Sequence, residues 1–171
     1  MVYSETSFPV RYYETDQMGI VHHSNYIRYF ECARNMLMED CGYPIARCEA
    51  DGVTIPIVEV ECHYKHPAKM GDIVTCVAVI EKAPTARLYI NQAVYNQDGV
   101  LCAEGKVMLG FLNKSTQRPT RCPEKLSRAI NDWPRNCPGK VKEAIIAGTG
   151  HCPENIRQAL LEEFSANETI R

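Results

Sequence analysis

The alternation of apolar and polar positions divides the chain into short extended runs, one helix-period segment among them, and a proline-punctuated tail. Tyr26, Ile27, Phe30, Ala33, Arg34, Leu37, Met38 and Cys41 recur at spacings of three and four, the period of a helix with one buried stripe. Ser24 or Asn25 can cap its start, and Gly42 stands where a glycine commonly ends a helix. Phe8 to Tyr13 predicts a first strand ahead of it. Ile55 to Tyr64, Ile73 to Ile80, Arg87 to Tyr95 and Val100 to Phe111 predict four more after it. The breaks between them hold turn formers: Pro67 and Gly71, then Ala83-Pro84-Thr85, then Asp98-Gly99, a strong hairpin signal. IVTCVAVI, from Ile73 to Ile80, is apolar on both faces and so belongs inside a sheet. A long helix beside strands joined by tight turns must bury its stripe against their sheet. The expected fold is α+β: a single domain, with a mainly antiparallel curved sheet wrapped around one long central helix.

From about Asn113 the pattern changes. CPEKLSRAI begins at Cys122, CPGKVKEAI at Cys137 and CPENIRQAL at Cys152, each fifteen residues after the last. Apolar residues recur four positions after the cysteine (Leu126, Val141, Ile156) and eight after it (Ile130, Ile145, Leu160). Alanine recurs at seven (Ala129, Ala144, Ala159). Proline at a start followed by apolar residues four apart is a helix signature. Up to three short helices are expected, each offering an apolar edge to the body or to a neighbouring subunit, with Gly139 weakening the second. The division read from this is a main domain over 1–126 and a helical C-terminal extension over 127–171.

Composition narrows the partners. A chain of 171 residues, 45% apolar and 23% charged, has the balance of an ordinary globular protein. A net charge of -2 argues against nucleic acid, whose phosphates favour a basic excess. No run approaches the eighteen apolar residues of a membrane span, and the first residues lack a signal-peptide pattern. The nine cysteines are odd in number, include no CxxC pair and fall partly in apolar runs, as Cys76 does. Free thiols in a reducing, cytoplasmic compartment are expected. The three repeat cysteines and His151 contain a Cys₃His ligand set, but ligands fifteen apart lack the close pairing of zinc sites. No metal site and no separate cofactor are expected.

The densest chemistry lies in YYETDQMGIVHHSNY, from Tyr12 to Tyr26. A helix N-terminus carries unpaired N–H groups and the positive end of a dipole. Amides around His22 to Ser24 would suit an oxyanion, and Asp16 is close enough in sequence to face the same spot. Carboxylate plus oxyanion donors is a constellation for acyl transfer or hydrolysis. Asp16 as a plain turn or cap residue, with surface histidines beside it, remains the alternative. Elsewhere, His63 and His66 are expected on opposite faces of a strand, with Cys62 and Tyr64 as packing residues. Glu31 and Arg34 could form an ion pair, although Arg34 falls on the apolar stripe and would then need a partner.

ETDQMGIVHHSNYIRYFECAR resembles the signature of the 4-hydroxybenzoyl-CoA thioesterase-type hotdog family, including its bacterial acyl-CoA thioesterase branch. Thr15, Asp16, Gly19, Val21, His23 and Tyr26 match a T-D-x-x-G-x-V-x-H-x-x-Y pattern. Residues 64–68 with Gly71-Asp72, and residues 118–123, resemble later family segments, so the likeness runs from about Pro9 to Leu126. It implies hydrolysis of acyl-CoA thioesters, with Asp16 as nucleophile or general base. The His23 amide would hold the carbonyl oxygen, and the His23 side chain would orient water or substrate. Gly19, Val21, His22 and Tyr26 would line the substrate, with Gly19 allowing close approach. Arg87 and Lys65 would meet the nucleotide end of coenzyme A, with Lys69, Lys82 and Arg118 as further candidates. Coenzyme A is here part of the substrate. A thiol pKa of about 8.5 makes the leaving group undemanding, so no strong acid is required. The family builds active sites at dimer interfaces, which implies a homodimer or homotetramer. The alternatives are a protein that binds acyl-CoA or an acyl-carrier protein without hydrolysis, and another hotdog enzyme such as a dehydratase.

Overall fold

In the computed structural model, which describes residues 1–168, the helix-period stripe forms α1, His23–Asp40. Tyr26, Tyr29, Phe30, Ala33, Leu37 and Met38 are its buried face. The cap is His22, not Ser24 or Asn25: its ring Nδ1 accepts from the Ser24 N–H at 3.3 Å. The Glu14 carbonyl takes the His22 N–H at 2.8 Å, and His22 stays extended with its ring over the first turn. At the other end Gly42 adopts a φ of +69°, the left-handed turn expected of it.

Strand β1 spans Val2–Pro9 rather than Phe8 to Tyr13, and Tyr12–Glu14 is a single 3₁₀ turn. Its inward positions include Ser4 and Thr6, which hide the alternation. A six-residue helix α2, Ile45–Ala50, and a short strand β2, Val53–Thr54, precede β3, Ile57–Tyr64. Strands β4, Ile73–Ile80, and β5, Arg87–Tyr95, end where the sequence places them. β6, Leu101–Gly110, is followed by the short β7, Leu112–Asn113, which pairs with β2. The main sheet is antiparallel throughout, in the order β1-β4-β5-β6-β3. Val74 to Ile80 are all buried, as an interior strand requires.

Helix α1 crosses the face that presents Cys76, Ala78, Leu88, Ile90 and Val94. A Cβ on Gly105 would sit 2.0 Å from the Glu61 carbonyl and 2.8 Å from the Phe30 ring, so β6 tolerates only glycine there. Arg34, 5% exposed, points into this layer. Its partner is Gln92, whose Oε1 accepts from Nη1 at 3.4 Å and whose Nε2 donates to the Phe30 carbonyl at 2.6 Å. Burial lowers the Arg34 pKa. Glu31 faces solvent one turn away, and no ion pair joins the two among the described residues.

The repeat forms α3, Glu124–Asn136, α4, Gly139–Ala147, and α5, Glu154–Glu168, so two of the three helices outgrow the short segments expected. Leu126, Ile130, Ile145, Ile156 and Leu160 are buried at the repeat's apolar positions. Residue 126, the expected domain boundary, falls inside α3. The extension packs along β1, where α3 touches the strand and the His151 N–H donates to Glu5 Oε2 at 3.1 Å. The His151 ring stacks on Tyr95 at 4.7 Å. One edge of the sheet is thereby clothed, while β3 is open, with Ile57 46% and Val58 54% exposed. Cys122, Cys137 and Cys152 sit half-buried against the core, and all nine cysteines are free. Burial pushes these three thiols up to about 12. No helix among the described residues is long and apolar enough to cross a membrane.

Candidate active site

The segment between the 3₁₀ turn and α1 is folded by its own backbone. The Asp16 N–H donates to the Ile20 carbonyl at 2.9 Å, and the Gly19 N–H returns to the Asp16 carbonyl at 2.9 Å. Asp16 Oδ1 accepts from the Met18 N–H at 2.8 Å, while its Oδ2 takes no hydrogen bond among the described residues. Gly19 has a φ of +73° and nothing within 4 Å of where a Cβ would stand. Its glycine serves the left-handed turn, not close packing within the chain.

Residues 64–69 close over this turn. The Val21 N–H donates to the Ala68 carbonyl at 2.8 Å, and the Ala68 N–H donates to Tyr26 Oη at 3.1 Å. Tyr64 Oη donates to the His23 carbonyl at 3.1 Å. Together they enclose a cavity of about 290 Å³. Asp16 stands on one side, and Met18, Ile20 and Val21 supply apolar lining. Tyr64 forms an aromatic wall with Tyr26 (ring centroids 5.5 Å apart) and His23 (6.4 Å apart). Lys65, His66 and Pro67 complete the lining. Burial raises the pKa of Tyr26 and of Tyr64, so both hydroxyls keep their protons across neutral pH.

At the start of α1 the amides are nearly all spent. The Val21 N–H goes to Ala68, the His22 N–H to Glu14, the Ser24 N–H to the His22 ring and the Asn25 N–H to the His22 carbonyl. His23 is the first residue of the helix, and its N–H has no acceptor among the described residues. His23 and Asp16 both line the cavity, His23 at the positive end of the α1 dipole.

The structure thus gathers Asp16, Val21, His23, Tyr26 and Lys65 around one space. Lys65 is held by Glu104, Nζ to Oε1 at 3.0 Å. His22 faces a second hollow, of about 620 Å³, with Tyr12, Tyr13 and Arg28, and Asp16 forms part of both walls. Arg87 is not brought to Asp16 within one chain. It begins the nine-residue β5 at the far end of the sheet, where it points to Met108 Sδ at 3.1 Å in a hollow shared with Lys82 and Lys106. Two further expectations need correction. His66 lies beyond the end of β3 and lines the cavity, so the strand alternation that separates it from His63 does not apply. Tyr64 is half-exposed at the cavity rather than a packing residue. Its place just before the Lys65–Pro67 segment was the available signal. Glu14 is a buried carboxylate that no sequence pattern singles out, and Asn25, expected only as a possible cap, is buried and donates to the Glu14 carbonyl.

A family model described as the thioesterase-like superfamily matches residues 10–130, ending within α3. YneP of Bacillus subtilis strain 168, named as a candidate acyl-CoA thioesterase, is 31% identical over 130 residues, covering 76% of this chain and 91% of that protein. Among solved structures, a hypothetical protein of Thermus thermophilus is 38% identical with a TM-score of 0.71, covering 76% of this chain and 98% of its own. The DHNA-CoA thioesterase of Staphylococcus aureus is 29% identical with a TM-score of 0.68, covering 88% and 98%.

Proposed function

The chain belongs to the thioesterase-like superfamily and has its hotdog fold, and on that premise we propose that it hydrolyses acyl-CoA thioesters to the free acid and coenzyme A. One observation carries the reading: Asp16 and His23, whose N–H has no acceptor among the described residues, line the same cavity at the start of α1. The thioester carbonyl would lie with its oxygen on the His23 N–H, where the amide and the dipole stabilise charge as the carbon becomes tetrahedral. Asp16 then either attacks that carbon, giving an anhydride that water opens, or takes the proton of an attacking water. Both routes expel a thiolate, and neither requires a strong acid. Tyr26, Tyr64 and the His23 ring would flank the acyl group. The nine free thiols fit a reducing, cytoplasmic setting.

A second copy completes the proposal. Antiparallel pairing of two open β3 edges sets the Tyr64 end of one chain beside the Ile57 end of the other. The end of the sheet that carries Arg87 and Lys82 then approaches the partner's Asp16 loop. Their positive charge suits the phosphates of coenzyme A, and light scattering should find a dimer or tetramer, with a stable, active monomer overturning this assembly.

The Asp16 Oδ1 bond to Met18 favours a second reading, in which Asp16 only shapes a turn in a protein that binds acyl-CoA without hydrolysis. Thiol release from aromatic and aliphatic acyl-CoAs, measured for wild type and Asp16→Asn, separates the two. Hydrolysis that falls by about two or more orders of magnitude in a folded variant supports the enzyme. No hydrolysis by either protein, with acyl-CoA still bound, supports the binding protein.

A further inference from the structure

Two residues before Asp16 lies a buried carboxylate that the proposed chemistry does not touch. Glu14 is 7% exposed and its side chain meets three donors. Oε2 accepts from the Arg11 N–H at 2.7 Å and from Tyr29 Oη at 3.0 Å, and Oε1 accepts from Arg11 Nη1 at 3.2 Å. Its carbonyl takes two more, the His22 N–H at 2.8 Å and Asn25 Nδ2 at 2.7 Å. Asn25 is itself 6% exposed. A buried carboxylate with several donors is among the firmer polar anchors a fold can make, because its charge is shared out among charge-assisted bonds.

The placement of those bonds is what matters. The Tyr29 hydroxyl ties Glu14 to the second turn of α1, and Asn25 ties the Glu14 carbonyl to the first turn. The loop carrying Asp16 is therefore clamped to the helix that carries the His23 amide. The same carbonyl also consumes the His22 N–H, leaving His23 as the amide with no acceptor among the described residues. We infer that Glu14, acting through Tyr29 and Asn25, is a positioning residue that fixes Asp16 relative to the His23 N–H and selects which amide is offered to the substrate. This rests on the thioesterase reading above.

The test is a double-mutant cycle on thioester hydrolysis by the full-length protein. Glu14→Gln keeps the shape of the side chain but turns an amide nitrogen toward donors. It is expected to lower kcat about 30-fold with KM changed less than about threefold, because binding survives while the reacting groups drift. Tyr29→Phe and Asn25→Asp each remove one donor and should lower kcat several-fold; they carry the test if Glu14→Gln does not fold. In an Asp16→Asn background the Glu14 substitution should cost almost nothing further, since the group it positions is gone. A purely structural Glu14 would cost the same in both backgrounds, or raise KM and lower kcat together with the melting temperature, and either result overturns the positioning role. Full activity in Glu14→Gln, Tyr29→Phe and Asn25→Asp, with activity lost in Asp16→Asn, also overturns it and leaves the thioesterase reading standing. Inactive wild type, or Asp16→Asn as active as wild type, overturns both.

Discussion

Helix α1 and two helices of the extension, α3 and α5, begin in opposite ways. α3 carries Glu124 and α5 carries Glu154 in the first turn, where a carboxylate complements the positive helix end. Cys-Pro precedes each of them, and Pro123 is the N-cap of α3. α1 has no acidic residue in its first turn. Its cap is an imidazole, and Asp16 stands on a separate loop that lines the same cavity as His23. The extension neutralises the starts of α3 and α5, whereas α4 has no acidic residue in its first turn. The main domain leaves the start of α1 without an acid in its first turn, next to a cavity of about 290 Å³ lined by Asp16 and His23.

The contrast can be broken from either side. The largest effect should come from the extension's core: Leu160, fully buried, truncated to alanine should cost about 2–5 kcal/mol. Trp133, the one tryptophan of the chain and buried in α3, reports that loss by its fluorescence during denaturant unfolding. A second change acts on the open helix end. Ser24→Glu places a carboxylate in the first turn of α1, which should raise stability by about 0.3–1 kcal/mol while lowering kcat/KM about tenfold. Ser24→Gln, lacking the charge, is its control. If activity is unchanged by the new charge, the helix end does not serve the reaction.

Alkali offers a third test. The thiols of Cys122, Cys137 and Cys152 are held up to about 12 in the folded chain, against about 9 when unfolded. Above pH 9 the unfolded state loses these protons first, so their contribution to stability is full below pH 9 and drains away as pH rises toward 12. Unfolding midpoints read at Trp133 should fall across that window, and replacing the three cysteines by alanine should flatten the decline. The smallest effect is expected for Glu124→Gln. It removes the favourable charge from the α3 start and should cost about 0.3–1 kcal/mol with activity unchanged.

Much of this was legible in the chain because periodic burial writes itself into sequence. The α1 stripe, the two-faced β4 run and the fifteen-residue repeat each mark their buried positions by pattern alone, although the repeat left open whether the body or a neighbouring subunit covers them. β1 escaped because its inner face carries Ser4 and Thr6, and the burial of Tyr3 and Ser4 depends on elements far along the chain, Asp40 among them. α2 escaped because, among its six residues, only Cys48 is buried. At the site, Asp16 and His23 stood close in sequence and could be read together. Tyr64 reaches His23 across forty-one positions, and no local pattern announces such a contact. Arg87 shows how topology separates residues within one chain. Its residue type suited the chemistry, while its strand carried it to the far end of the sheet.

The pairing of β1 with β4 also sets a timetable. Val2 lies opposite Ile80 and Pro9 opposite Ile73, so β1 has no partner in this ladder until more than sixty further residues have been made. At about 5–20 residues per second, that wait lasts several seconds on the ribosome. The clothing of its edge by α3 comes later still. Through that interval a strand ending in Phe8-Pro9 stands with both edges unpaired, and a nascent chain in this condition is where chaperones that shield extended segments would act.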